Sequence, residues 1–101
     1  MAEKQYLTVF WTDRSISDSL AIKRYLQKEF SQKEIDNFYK LLGAFEKIVL
    51  SFPQLYPQSI KNKKAHRAVL SKQLSVFYNL SKDQINIIAV LDNRVGYSKW
   101  P

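Results

Sequence analysis

At 101 residues the chain has room for one hydrophobic core, so a single domain spanning residues 1–101 is expected. Its composition, 46% hydrophobic and 25% charged, excludes a disordered chain, and the absence of Cys excludes disulfides, thiolate metal sites and thiol catalysis. Sixteen Lys and Arg against nine Asp and Glu leave a net charge of +7, which suits an anionic partner such as nucleic acid or an acidic protein segment and serves solubility equally well.

In chain order, Tyr6-Leu7-Thr8-Val9-Phe10-Trp11 is rich in β-branched and aromatic residues and reads as a first strand. The run is too short for the apolar core of a signal peptide, and no later stretch approaches the roughly 20 residues that span a bilayer. A cytoplasmic protein with no membrane partner is expected. Ser15 and Asp18 stand at the N-cap and N3 spacing of a first helix, whose apolar stripe is Leu20, Ile22, Tyr25, Leu26 and Phe30. A second helix opens on the capping box Ser31/Glu34. It carries Ile35, Phe38, Leu42, Phe45, Val49 and Phe52 at alternating spacings of three and four, and Pro53 ends it.

With only Phe30-Ser31 between them, the two helices form an antiparallel hairpin whose apolar face needs a flat partner. Residues 53–64 lack periodicity and read as a loop. Three strands follow, Ala65–Leu70, Leu74–Leu80 and Ile85–Leu91, joined by short polar turns. The predicted fold is α+β with the order β-α-α-β-β-β, the helical hairpin packed on one face of a mainly antiparallel four-stranded sheet.

Strand alternation separates the sheet faces, and an unslipped register through both hairpins is expected. One face takes Leu70 opposite Leu74, Ala68 opposite Val76 and His66 opposite Tyr78. Continuing across the sheet, Leu80 lies opposite Ile85, Tyr78 opposite Ile87, Val76 opposite Ala89 and Leu74 opposite Leu91. This apolar set belongs under the helices. The other face takes Arg67 beside Phe77 and Ile88, and Val69 beside Ser75 and Val90. With no helix left to cover it, that face is a partner site or is covered by loop 53–64 or by the tail 92–101. Lys61, Lys63, Lys64, Arg67 and Lys72 surround it without an acidic residue between positions 61 and 72, and Arg94 and Lys99 lie on the tail. Arg67 suits anion or carboxylate recognition, or else a structural ion pair with Asp92. No cofactor and no metal is expected.

Several landmarks together resemble the RelE/ParE toxin superfamily, the toxin halves of bacterial type II toxin–antitoxin pairs. They are Phe10-Trp11-Thr12 entering the first helix, Phe52-Pro53 with Pro57 after the second, His66-Arg67 opening the meander, Val76-Phe77-Tyr78 on its middle strand, and Ile85 to Asp92 followed by Arg94. The resemblance runs from about Tyr6 to Lys99. It implies a cognate antitoxin that wraps the helices and adds against the sheet, in a hetero-oligomer or beside a homodimer. ParE-like members act by binding DNA gyrase, and this is the favoured target; RelE-like members cleave mRNA on the ribosome, and a relic that only binds antitoxin is a third reading. A ribonuclease needs a proton acceptor, a proton donor and a cation near the phosphorane. Val69 and Ser75 stand where such enzymes tend to carry further basic groups, and His66 alternates onto the core side. Arg67, Arg94, Tyr97 and Lys99 are the candidate catalytic groups, the last two if the tail folds back. Lys64, Arg67, Val69, Phe77, Ile88, Val90, Arg94 and Lys99 are the candidate target- or antitoxin-binding set.

Overall fold

The structure, a computed structural model, describes residues 8–101. Strand β1 (Thr8–Trp11) leads into helices α1 (Asp13–Glu29) and α2 (Gln32–Ser51). The meander β2 (His66–Val69), β3 (Leu74–Ser81) and β4 (Gln84–Asp92) follows, and a single 3₁₀ turn, Tyr97–Lys99, lies near the C-terminus. The sheet order is β1-β4-β3-β2, with β1 parallel to β4 and the other pairs antiparallel, and the helical hairpin covers one face. This is the architecture predicted from the sequence. The predicted residues Tyr6 and Leu7 of the first strand lie outside the described residues. No helix among the described residues is long and apolar enough to cross a membrane.

Helix α2 forms as its periodicity dictates. The Ser31/Glu34 capping box closes its first turn, with the Ser31 amide donating to Glu34 Oε2 at 3.1 Å. Ile35, Phe38, Leu42, Phe45 and Val49 are all buried, the last four in one cluster with the sheet. Phe52 departs from the stripe: as the C-cap it has left the helical path and is 58% exposed. Phe45 and Tyr56 each pack edge-on against Tyr78 and tilted against one another, and the Tyr78 hydroxyl donates to the Pro53 carbonyl at 2.8 Å, so a buried phenol is satisfied where α2 ends. The loop after α2 then runs along the outer edge of β2: the Arg67 amide donates to the Pro57 carbonyl at 2.9 Å and the Ser59 amide to the Ala65 carbonyl at 2.7 Å.

Helix α1 differs from its prediction in both cap and stripe. Thr12 is the N-cap, not Ser15; its hydroxyl oxygen accepts from the Ser15 amide at 3.2 Å and donates to the Ile87 carbonyl at 2.8 Å, a partner that only the assembled sheet supplies. Ser15 is instead buried in the first turn. The face of α1 against β4 is Ser15 and Ser19, whose hydroxyls donate back to the carbonyls of Thr12 and Ser15 at 2.8 and 2.9 Å, continued by half-buried Ile22 and Leu26. Leu20, Tyr25 and Phe30 of the predicted stripe are exposed. Small hydroxyl residues that satisfy themselves on their own helix let α1 approach the strand closely.

The register of β3 against β4 slips once, contrary to the unslipped alternation predicted. Leu80 faces Ile85, Asn79 faces Asn86 and Tyr78 faces Ile87, but Phe77 faces Ala89, leaving Ile88 as a bulged extra residue. Beyond it every β4 side chain changes face. Val76 meets Val90, which joins the core, while Ala89 and Leu91 move to the helix-free side opposite Phe77 and Ser75. The Val90 amide donates to Asp18 Oδ2 of α1 at 3.0 Å, so the carboxylate sits across from the bulge. Removing this acceptor strands a part-buried amide: Asp18→Ala is expected to lower stability in urea unfolding by about 1–3 kcal/mol, and Asp18→Asn, which keeps an oxygen there, by less. Equal losses would show that charge, not the acceptor, is what matters.

Candidate functional site

The helix-free face is built from three rows set by strand pairing: Arg67–Phe77–Ala89 in the middle, Val69–Ser75–Leu91 on one side, and Asn79–Asn86–Phe10 on the other. Val69 is exposed, as predicted for this face, and Ile88 is half-buried at the bulge. Phe77 lies on this side but is fully buried, because the C-terminal tail folds back over it. The Trp100 ring centroid lies 5.3 Å from that of Phe77, and the Arg67 guanidinium carbon lies 4.5 Å from the Trp100 centroid. The sequence alternative of cover by the tail is therefore the one realised. Val90, placed on this face by alternation, is in the core because of the bulge.

Arg67 is half-buried and makes no ion pair with Asp92. Its Nη2 donates to Asn93 Oδ1 at 3.2 Å, and its Nε is buried without a partner among the described residues. Asn93 Oδ1 also accepts from the Ser75 hydroxyl, and Asn93 Nδ2 donates to the carbonyls of Ser71 and Lys72 at 3.1 and 3.0 Å. Asn93 thus clamps the β2–β3 turn to the end of β4 and presents an oxygen to Arg67. Over the same face Lys61 Nζ donates to the carbonyls of Tyr97, Ser98 and Trp100 at 3.2, 3.1 and 2.9 Å, with the ammonium 5.4 Å from the Tyr97 ring centroid. Arg14 Nη2 donates to the Lys99 carbonyl at 2.9 Å.

His66 is on the opposite side. Its Nδ1 lies 2.8 Å from the Tyr56 carbonyl, which can only accept, so Nδ1 carries the proton; the ring stacks on Tyr78 at 4.9 Å. Burial and stacking make it part of the core.

A second surface lies on the helical side. Between the far half of α1, the start of α2 and the β2–β3 turn is an apolar groove of about 930 Å³, walled by Ile22, Leu26, Phe30, Phe38, Leu41 and Leu74. Asp92 and Arg94 line its mouth as a two-point pair, Arg94 Nε to Oδ1 at 3.0 Å and Nη2 to Oδ2 at 2.7 Å.

No protein-family model matches the chain, and no curated protein is significantly similar in sequence. Solved structures are similar in shape. One, a chromosomal ParDE toxin–antitoxin system from P. aeruginosa, matches with a TM-score of 0.72 at 14% identity over 88% of this chain and 98% of that one. YafQ from E. coli matches at 0.52 and 13%, over 89% of this chain and 96% of that one. The E. coli DinJ–YafQ toxin–antitoxin complex contains a chain that matches at 0.53 and 13%, over 93% and 99%. The fold is that of the RelE/ParE-type toxins.

On this RelE/ParE-type fold the predicted residues divide into groups. Arg67, Phe77 and Tyr97 come together through Trp100, whose ring lies 5.1 Å from that of Tyr97. Lys99 is exposed on the same tail, and exposed Lys64 follows the 61–63 segment, its amide bonded to Asn62 Oδ1 at 3.0 Å. Arg94 is held away from Arg67, at the groove, by Asp92. Sequence reasoning missed Trp100 and Asn93 altogether. Trp100 left a signal, a large aromatic on a basic tail, but its partners lie 23 and 33 positions earlier, at Phe77 and Arg67.

Hydrogen bonding from Arg94 holds the Asp92 carboxyl below its ordinary range, and the same bond, with a smaller contribution from Tyr25, raises Arg94. A carboxyl depressed in the folded state stabilises above its unfolded value, and that contribution disappears as pH falls through the folded one. Thermal melts between pH 7 and pH 3 are expected to show a shallower loss below about pH 4 for Asp92→Asn than for the parent, with the difference shrinking in high salt.

Proposed function

We propose that this chain is the toxin half of a toxin–antitoxin pair, acting by binding an essential macromolecule, with DNA gyrase the favoured target. The observation that carries the reading is the environment of Arg67. It is a half-buried cation with no carboxylate partner among the described residues, set among Phe77, Trp100 and Asn93 on a face no helix covers. Arg67 beside the ring of Phe77 has the composition of a binding hot spot. None of these neighbours exchanges a proton near neutral pH, which favours binding over cleavage. The overall shape agreement with the ParDE toxin–antitoxin system, at a TM-score of 0.72, supports the toxin–antitoxin part of the reading.

The apolar groove suits an amphipathic antitoxin segment, whose apolar side chains would fill it while its polar side faces solvent. Tyr25 and Phe30 stand exposed at its edge.

A RelE-type, ribosome-dependent mRNA endoribonuclease is the second reading. It is favoured by Tyr97, half-exposed with Lys61 above its ring and joined to Arg67 through Trp100, so that a phenol and two cations adjoin on one face. The shape agreement with YafQ also supports it.

Induced expression of the chain alone in a bacterial host is expected to arrest growth, and co-expression of a cognate antitoxin to restore it; unimpaired growth would remove the toxin reading. Supercoiling and primer-extension assays on arrested cells separate the targets. Loss of gyrase supercoiling supports binding, whereas new 5′ ends within translated mRNA would establish the nuclease. Arg67→Ala is expected to abolish the arrest. Because it breaks one hydrogen bond and one cation–π contact, it should cost about 1–3 kcal/mol in urea unfolding, below the ~3–5 kcal/mol of a broken buried ion pair.

A further inference from the structure

We propose that residues Tyr97–Pro101 form an intramolecular strap that occupies the target-facing side of the sheet, with Lys61 as its latch. What lies beneath the strap matters through the toxin reading above, on which that part of the proposal rests; whether the strap opens does not depend on it.

The strap is attached in an unusual way. Lys61 uses all three of its donors on the carbonyls of Tyr97, Ser98 and Trp100, and Arg14 takes the carbonyl of Lys99, so four consecutive backbone oxygens are held by two cations from elsewhere in the fold. The tail contributes no carboxylate side chain: residues 93–101 contain no Asp or Glu. All four bonds are exposed, as are Tyr97, Ser98 and Lys99, so water competes for every polar attachment. Among the described residues the strap's ring contacts are those of Trp100 with Phe77 and Arg67, with Tyr97 alongside.

Beneath it the surface is built for an incoming group. With the strap closed, Arg67 faces a ring in place of an anion and its Nε has no acceptor among the described residues, a standing cost that a partner's oxygen would relieve. With the strap lifted, Phe77 and Arg67 are uncovered together. The closed state is therefore held by attachments that are individually weak, over a cation better satisfied when something else arrives. These are the two ingredients of a population that a partner can shift.

The test uses the full chain with Trp11→Phe, which leaves Trp100 as the only tryptophan, since the sequence has two. Lys61→Met removes the latch and keeps the apolar stem. Acrylamide quenching of Trp100 is expected to rise at least about twofold with melting temperature and circular dichroism close to the parent, as a shift towards an open state requires. Growth arrest is expected at a several-fold lower inducer level. If Trp11→Phe does not fold, fluorine NMR of fluorotryptophan-labelled parent and Lys61→Met chains reads the Trp100 environment directly. Unchanged quenching would overturn the latch. Raised quenching with weaker arrest would overturn the strap, because the segment would then be part of the binding surface itself. Failure of the parent to arrest growth sinks the toxin reading instead, and the quenching result still decides whether the strap opens.

Discussion

The carboxylate of Asp18 accepting the Val90 amide is the contact on which the arrangement of both faces depends. A bulge leaves backbone groups of β4 without ladder partners, and in an interior such groups are costly. Asp18 answers the Val90 amide, and beside it the Thr12 hydroxyl adds to the bond that the Thr12 amide already makes to the Ile87 carbonyl. The bulge is thereby stitched to the start of α1, and the slip it introduces places Val90 in the core and small Ala89 opposite Phe77. One inter-element hydrogen bond thus links the seating of the first helix to the shape of the far surface.

The parts of the fold legible in the sequence were those governed by local chemistry. The stripe of α2, its capping box, the stop at Pro53 and the three meander strands all follow from periodicities of 3.6 and 2 that tertiary contacts reinforce. Helix α1 was less legible because its buried face is Ser15 and Ser19, which no hydrophobic template selects, while Leu20, Tyr25 and Phe30 mimic a stripe yet stand outside. Thr12 and Ser15 both resemble caps, and the decision between them belongs to a carbonyl 75 residues away. The bulge was invisible for a related reason: an unslipped β4 also gives a respectable apolar face, so alternation alone cannot detect the extra residue at Ile88.

The candidate site was half legible. Alternation put Arg67 and Val69 on the helix-free side, where they are, and put Val90 there too, where it is not. The cover over Phe77 depends on long-range contacts from Trp100 and Lys61 that leave no periodic trace. Arg94, read as one of a basic group with Lys99, is instead neutralised by Asp92 beside the helical groove. The cover over Phe77 comes from nonlocal partners, whereas Arg94 is taken by a carboxylate only two positions before it.

The backbone pairing of Pro57 and Ser59 with the outer side of β2 bears on how this chain behaves in a crowded solution. Strand ends with unmatched amides and carbonyls invite other sheets to dock and to grow into aggregates. Here the loop occupies part of that border with its own main chain, and β2 spans only His66–Val69. A short border, already partly claimed from within, offers little template for stacking one copy upon the next.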